Sequence, residues 1–136
     1  MIKLIAGNKG TGKTKTIIEL ANKALSNEKN HVVVIEKSDK LRYDISHKAR
    51  LISASEYNIA GYDMFAGFLS GLAACDYDIT HLFVDSVNKI TGQTDAEGLE
   101  GFVKKLEQLD SHTDIEITIA VSIDPAQLGD VAKKYL

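Results

Sequence analysis

Residues 4–18 read LIAGNKGTGKTKTII. An apolar run stops at Gly7, four residues follow, and then come Gly12, Lys13 and Thr14. This is the G-x-x-x-x-G-K-[ST] spacing of a loop that cradles phosphate groups. Its surroundings suit it. Residues 2–6 (IKLIA) predict a short buried strand. Residues 13–28 predict a helix with Ile17, Leu20, Ala21, Ala24 and Leu25 on one face. In such a strand–loop–helix unit, glycines let backbone N–H groups turn toward phosphate oxygens, and the helix start adds its positive dipole end. The expected nucleotide contacts are Gly7, Asn8, Lys9, Gly10, Thr11, Gly12, Lys13, Thr14 and Lys15. Lys13 would reach the β- and γ-phosphates, and Thr14 would place a hydroxyl on Mg²⁺.

Working outward, strands and helices alternate without repeats or low-complexity linkers. Residues 31–36 (HVVVIE) are a β-branched run and predict a second strand; residues 49–53 (ARLIS) predict a third. Residues 62–75 carry a helical stripe of Met64, Phe65, Phe68, Leu69, Leu72 and Ala73. Residues 80–85 (THLFVD) predict a fourth strand, 97–110 a helix led by Leu99, Phe102, Val103, Leu106 and Leu109, and 115–122 a fifth strand. Asp124–Pro125 has the form of an N-cap and first helical position, so a last helix is expected over about 125–134. The pattern implies one α/β domain over residues 1–136, with a mainly parallel sheet covered on both faces.

The 136 residues carry a net charge of −3, so a broad nucleic-acid-binding surface is not indicated. The one cysteine, Cys75, cannot form an intrachain disulfide; a small core residue in a cytoplasmic protein is the expectation. No run approaches the roughly 18 apolar residues of a membrane span. The histidines His31, His81 and His112 have no metal-like spacing with acids or Cys75.

Asp85 ends the fourth strand after Leu82, Phe83 and Val84. An acid at the tip of a buried strand is costly unless it meets a cation or donors. The Mg²⁺ site, reached through Thr14 or water, is the expected partner, which is the Walker B role. A GTPase would show N-K-x-D and D-x-x-G; here residues 88–91 are NKIT and 85–88 are DSVN, which disfavours GTP.

The wording VDSV at 84–87 and the order of parts resemble RecA-like ATPases over nearly the whole chain. The likeness implies a three-layer P-loop NTPase fold with a five-stranded sheet of order 3-2-4-5-1, and ATP with Mg²⁺ as its ligands. It also implies a water-activating acid near the end of the second strand, where Glu36 is the nearest match and Asp39 the second. A polar residue at the tip of the fifth strand would sense the γ-phosphate; Ser122 holds that place, where glutamine is usual. The catalytic candidates are thus Lys13, Glu36 and Asp85. The chain is expected to lack a recombinase's DNA-binding apparatus, because it ends soon after the fifth strand. The first strand then becomes a sheet edge, to be covered by the last helix or a second copy. The chain is also similar to small bacterial P-loop proteins, some labelled twitching-motility ATPases, although the arginine and histidine motifs of those motors have no match here.

The expected function is Mg²⁺-dependent ATP binding with slow hydrolysis. The alternatives are a nucleotide-responsive binding module acting through a protein partner, and a small-molecule kinase. Segment 37–50 carries Lys37, Lys40, Arg42, Lys48 and Arg50 against Asp39 and Asp44, a local +3. A solvated connector is one reading. The other is a contact for a phosphate-bearing substrate, or a source of Arg42 or Arg50 for a neighbour's nucleotide.

Overall fold

The computed structural model describes residues 1–136. Five strands form one all-parallel sheet: β1 (Ile2–Ala6), β2 (Val32–Glu36), β3 (Arg50–Ser53), β4 (His81–Val84) and β5 (Glu116–Val121). The order across it is β1-β5-β4-β2-β3, which runs 3-2-4-5-1 when read from the β3 edge. Five helices accompany it: α1 (Lys13–Leu25), α2 (Tyr62–Cys75), α3 (Val87–Thr91), α4 (Ala96–Asp110) and α5 (Asp130–Lys133).

The three central strands, β2, β4 and β5, are buried on both faces, and their alternation sorts side chains between two cores. Val33 and Ile35 join Leu82, Val84, Ile117 and Ile119 beneath α2 and α4, where Phe65, Leu69, Phe102 and Leu106 fill the layer. Val32, Val34, Phe83 and Ala120 point the other way, onto Ile17, Ala21 and Leu25 of α1. The helices that follow β1 and β4 therefore leave for opposite faces. In a parallel sheet such a divergence opens a crevice at the carboxyl ends of the strands, here beyond β5.

The final helix departs from the sequence expectation of one element over 125–134. It is a 3₁₀ turn at Pro125–Gln127, then α5, separated by Leu128 and Gly129. Asp124 caps the turn by accepting from Ala126 N (2.9 Å). Glu100 of α4 caps α5, accepting from Val131 N (3.1 Å) and Ala132 N (2.9 Å). Gly129 packs so closely on the Glu100 side chain that a Cβ there would lie 2.4 Å from its carboxyl carbon. The β1 edge is covered by this tail, with Leu4 N donating to Tyr135 O at 2.7 Å.

Two α2 residues also differ from expectation. Cys75 is exposed, because it lies off the buried stripe of Tyr62, Phe65, Ala66 and Leu69 in the helix's last turn. Met64 is exposed for the same angular reason. No helix is long and apolar enough to cross a membrane.

Candidate functional site

Three strand ends converge at the crevice. From β1 the chain runs through a glycine loop, residues 7–12, into α1. Gly10 and Gly12 have φ of 88° and 84°, a left-handed backbone that glycine alone adopts without strain. Gly7 is needed for a different reason: a Cβ there would lie 2.6 Å from Thr11 Oγ1.

The turn wraps around Lys13. Its ammonium is drawn into the loop and donates to Gly7 O (2.8 Å), Asn8 O (2.8 Å) and Thr11 Oγ1 (3.3 Å). Burial lowers the Lys13 pKa from the ordinary lysine value; nearby Asp85 opposes the shift and nearby Lys89 adds to it. One residue on, Thr14 Oγ1 donates to Asp85 at 3.1 Å (Oδ1) and 3.3 Å (Oδ2). Asp85 follows β4 directly. Burial raises its carboxyl above the usual range, against the Thr14 hydrogen bond and the charges of Lys89 and Lys13.

A cavity of about 240 Å³ lies between these groups. The loop side supplies Lys9, Gly10, Gly12, Lys13 and Thr14. The opposite wall consists of Asp85, Ser86 and Lys89 after β4 and of Ser122 after β5. Ser122 is fixed by its backbone N–H, which donates to Asn88 Oδ1 at 2.7 Å. Three lysines and one carboxylate line it, so the cavity is cationic although the chain as a whole is acidic. Gly7, Asn8, Thr11 and Lys15 do not line it; Asn8 and Thr11 instead shape the loop, with Thr11 Oγ1 donating to Asn8 O at 2.8 Å.

The donor set suits a hard divalent cation. One hydroxyl and one carboxylate, with the rest of the shell left to phosphate oxygens and water, is what Mg²⁺ accepts. Nowhere do three or more His, Cys, Asp or Glu side chains gather as a metal cage.

Glu36, the expected base, stands elsewhere. It ends β2 and is buried, and its carboxylate accepts from Leu41 N (2.8 Å), Lys40 N (3.2 Å) and Ser38 Oγ (3.2 Å). It thereby caps the 3₁₀ turn Lys40–Tyr43 and does not line the 240 Å³ cavity. Asp39 is held by Arg42 at 3.4 Å. Arg42 also donates to Tyr43 Oη at 2.8 Å, and Arg50 begins β3; both arginines are exposed and outside the cavity.

Sequence reasoning missed two residues at the site. Ser86 has φ 57° and ψ 76°, a left-handed conformation that costs a non-glycine residue free energy. Its buried hydroxyl has no hydrogen-bond partner. Lys89 lies one helical turn further on. The NKIT stretch was readable only as a failed guanine motif, and nothing in its spacing announces that α3 turns Lys89 back over the cavity.

A larger, more open groove of about 660 Å³ runs between α2 and α4, but the Lys105–Asp63 ion pair (2.6 Å) already pairs the charges there. No family model and no curated protein matches the chain.

Proposed function

We propose that this chain is a RecA-like P-loop protein that binds ATP with Mg²⁺ and hydrolyses it slowly. The observation that carries the reading is the Thr14–Asp85 hydrogen bond beside Lys13, which joins the end of β4 to the glycine loop that follows β1. A hydroxyl, a carboxylate and an ammonium from two distant parts of the sequence meet around one cationic cavity. The loop N–H groups and Lys13 would hold the β- and γ-phosphates. Thr14 and Asp85 would hold Mg²⁺, which when bound neutralises charge on the phosphate oxygens. Ser122, which also lines the cavity, would meet the terminal phosphate.

One observation favours a second reading, a nucleotide-responsive binding module with little turnover. Asp85 is the only carboxylate that lines the cavity, and Thr14 already engages it. Glu36 is occupied by its own turn. A site without a free base holds a nucleotide better than it activates water.

Thermal shift with Mg·ATP, Mg·GTP and a non-hydrolysable ATP analogue, followed by phosphate release, tests both. The wild type is expected to be stabilised by ATP and by the analogue, and Lys13→Ala by neither. Stabilisation with measurable slow release supports the ATPase; stabilisation without release supports the module. No shift with any nucleotide would sink both.

A further inference from the structure

We infer that Lys89 makes this site prefer a nucleoside triphosphate to a diphosphate, by facing the terminal phosphate from the wall opposite the glycine loop. The inference rests on the reading of the cavity as a nucleotide site. It goes further by assigning a specificity-determining role to a residue outside the loop.

Helix α3 fixes where Lys89 stands. Of its five residues, Val87, Asn88, Ile90 and Thr91 are buried and only Lys89 is exposed. Burial of the other four fixes the rotation of the helix about its axis. Asn88 fixes its position: Oδ1 accepts from Ser122 N (2.7 Å), and Nδ2 donates to Gln93 O (2.9 Å) and Tyr62 Oη (3.3 Å). Lys89 N donates to Ser86 O at 3.0 Å, so Ser86 and Lys89 share one face one turn apart. Both line the cavity. Ser86, with its left-handed backbone, stands at the junction between β4 and α3.

Lys89 is also uncommitted. Its ammonium makes no ion pair or side-chain hydrogen bond, whereas Lys105 and Lys134 each hold a carboxylate. It lines the same cavity as Lys13 and Asp85, close enough to act on both electrostatically. Two ammonium groups on opposing walls repel, and an anion between them removes that cost. The loop and Lys13 suffice for a diphosphate. A third phosphate would bring further negative charge into the cavity beside the Mg²⁺ held by Thr14 and Asp85, and Lys89 would supply a cation to it from the α3 side.

The test is calorimetric titration with Mg·ADP and with a Mg-bound non-hydrolysable ATP analogue, using wild type, Lys89→Met and Lys89→Arg. Lys89 is exposed, so the variants should fold. Loss of a charge-assisted phosphate contact predicts a roughly 10- to 100-fold weaker Kd for the analogue in Lys89→Met, with ADP changed by less than about 3-fold. Lys89→Arg should restore most of the analogue's affinity. Equal losses for both nucleotides, or no loss for either, would overturn the assignment and leave the nucleotide site standing. A wild type that binds neither nucleotide would overturn the site and the assignment together.

Discussion

Asp85 and Glu36 stand at the carboxyl ends of neighbouring parallel strands, β4 and β2. Both are acids where the sheet meets solvent, and the chain treats them differently. Glu36 is the more buried, yet two backbone N–H groups and a hydroxyl from the next five residues satisfy it. Asp85 receives one hydroxyl, faces two lysines and borders a cavity. An acid closed by its own turn stabilises the fold. An acid left partly unsatisfied beside cations is available to a ligand, at some cost to stability.

That contrast can be broken most severely at Glu36. Glu36→Ala strands the N–H groups of Lys40 and Leu41 and is expected to cost about 3 kcal/mol in urea denaturation, with Glu36→Gln costing about half as much. A loss below about 0.5 kcal/mol would show that the turn does not depend on this carboxylate.

Asp85→Asn should act in the opposite direction and more weakly. Burial holds the Asp85 carboxyl above its ordinary value, so the folded state binds that proton more tightly than the unfolded chain does. The group therefore favours folding below the unfolded pKa, and the benefit is lost as pH rises through the folded pKa. Asp85→Asn is expected to match or exceed wild-type stability by under about 1 kcal/mol near neutral pH. The advantage should shrink as pH falls through the raised folded pKa, where the wild-type carboxyl takes up its proton. An advantage that grows on acidification would contradict the sign of the shift.

The smallest effect is expected at Ser86→Gly. Relief of the left-handed backbone offsets the added freedom of the unfolded chain, so stability should stay within about 0.5 kcal/mol of wild type. A loss above about 1 kcal/mol would mean that the serine backbone is not strained there.

Much of this arrangement was legible in the sequence, for identifiable reasons. The β-branched run Val32–Ile35 and the 3.6-residue stripe Leu99, Phe102, Val103, Leu106 carry periodicities that burial enforces. Lys13, Thr14 and Asp85 were readable because their spacing and strand-end placement are local. The unread parts depend on partners far along the chain. Glu100 caps α5 from about thirty residues away, and α5 stands apart from the turn that Asp124–Pro125 starts. Glu36 looked free because the N–H groups that occupy it belong to a 3₁₀ turn with no apolar period. Lys89 depends on a left-handed serine, which nothing in VDSVNK marks as one.

The most direct test of the contrast is the affinity of a Mg-bound non-hydrolysable ATP analogue for wild type, Asp85→Asn and Glu36→Gln, measured by calorimetry at a temperature where all three are folded. The account predicts at least about a 10-fold weaker Kd for Asp85→Asn and a Kd within about 2-fold of wild type for Glu36→Gln. Weakened binding in Glu36→Gln with unchanged binding in Asp85→Asn would contradict it.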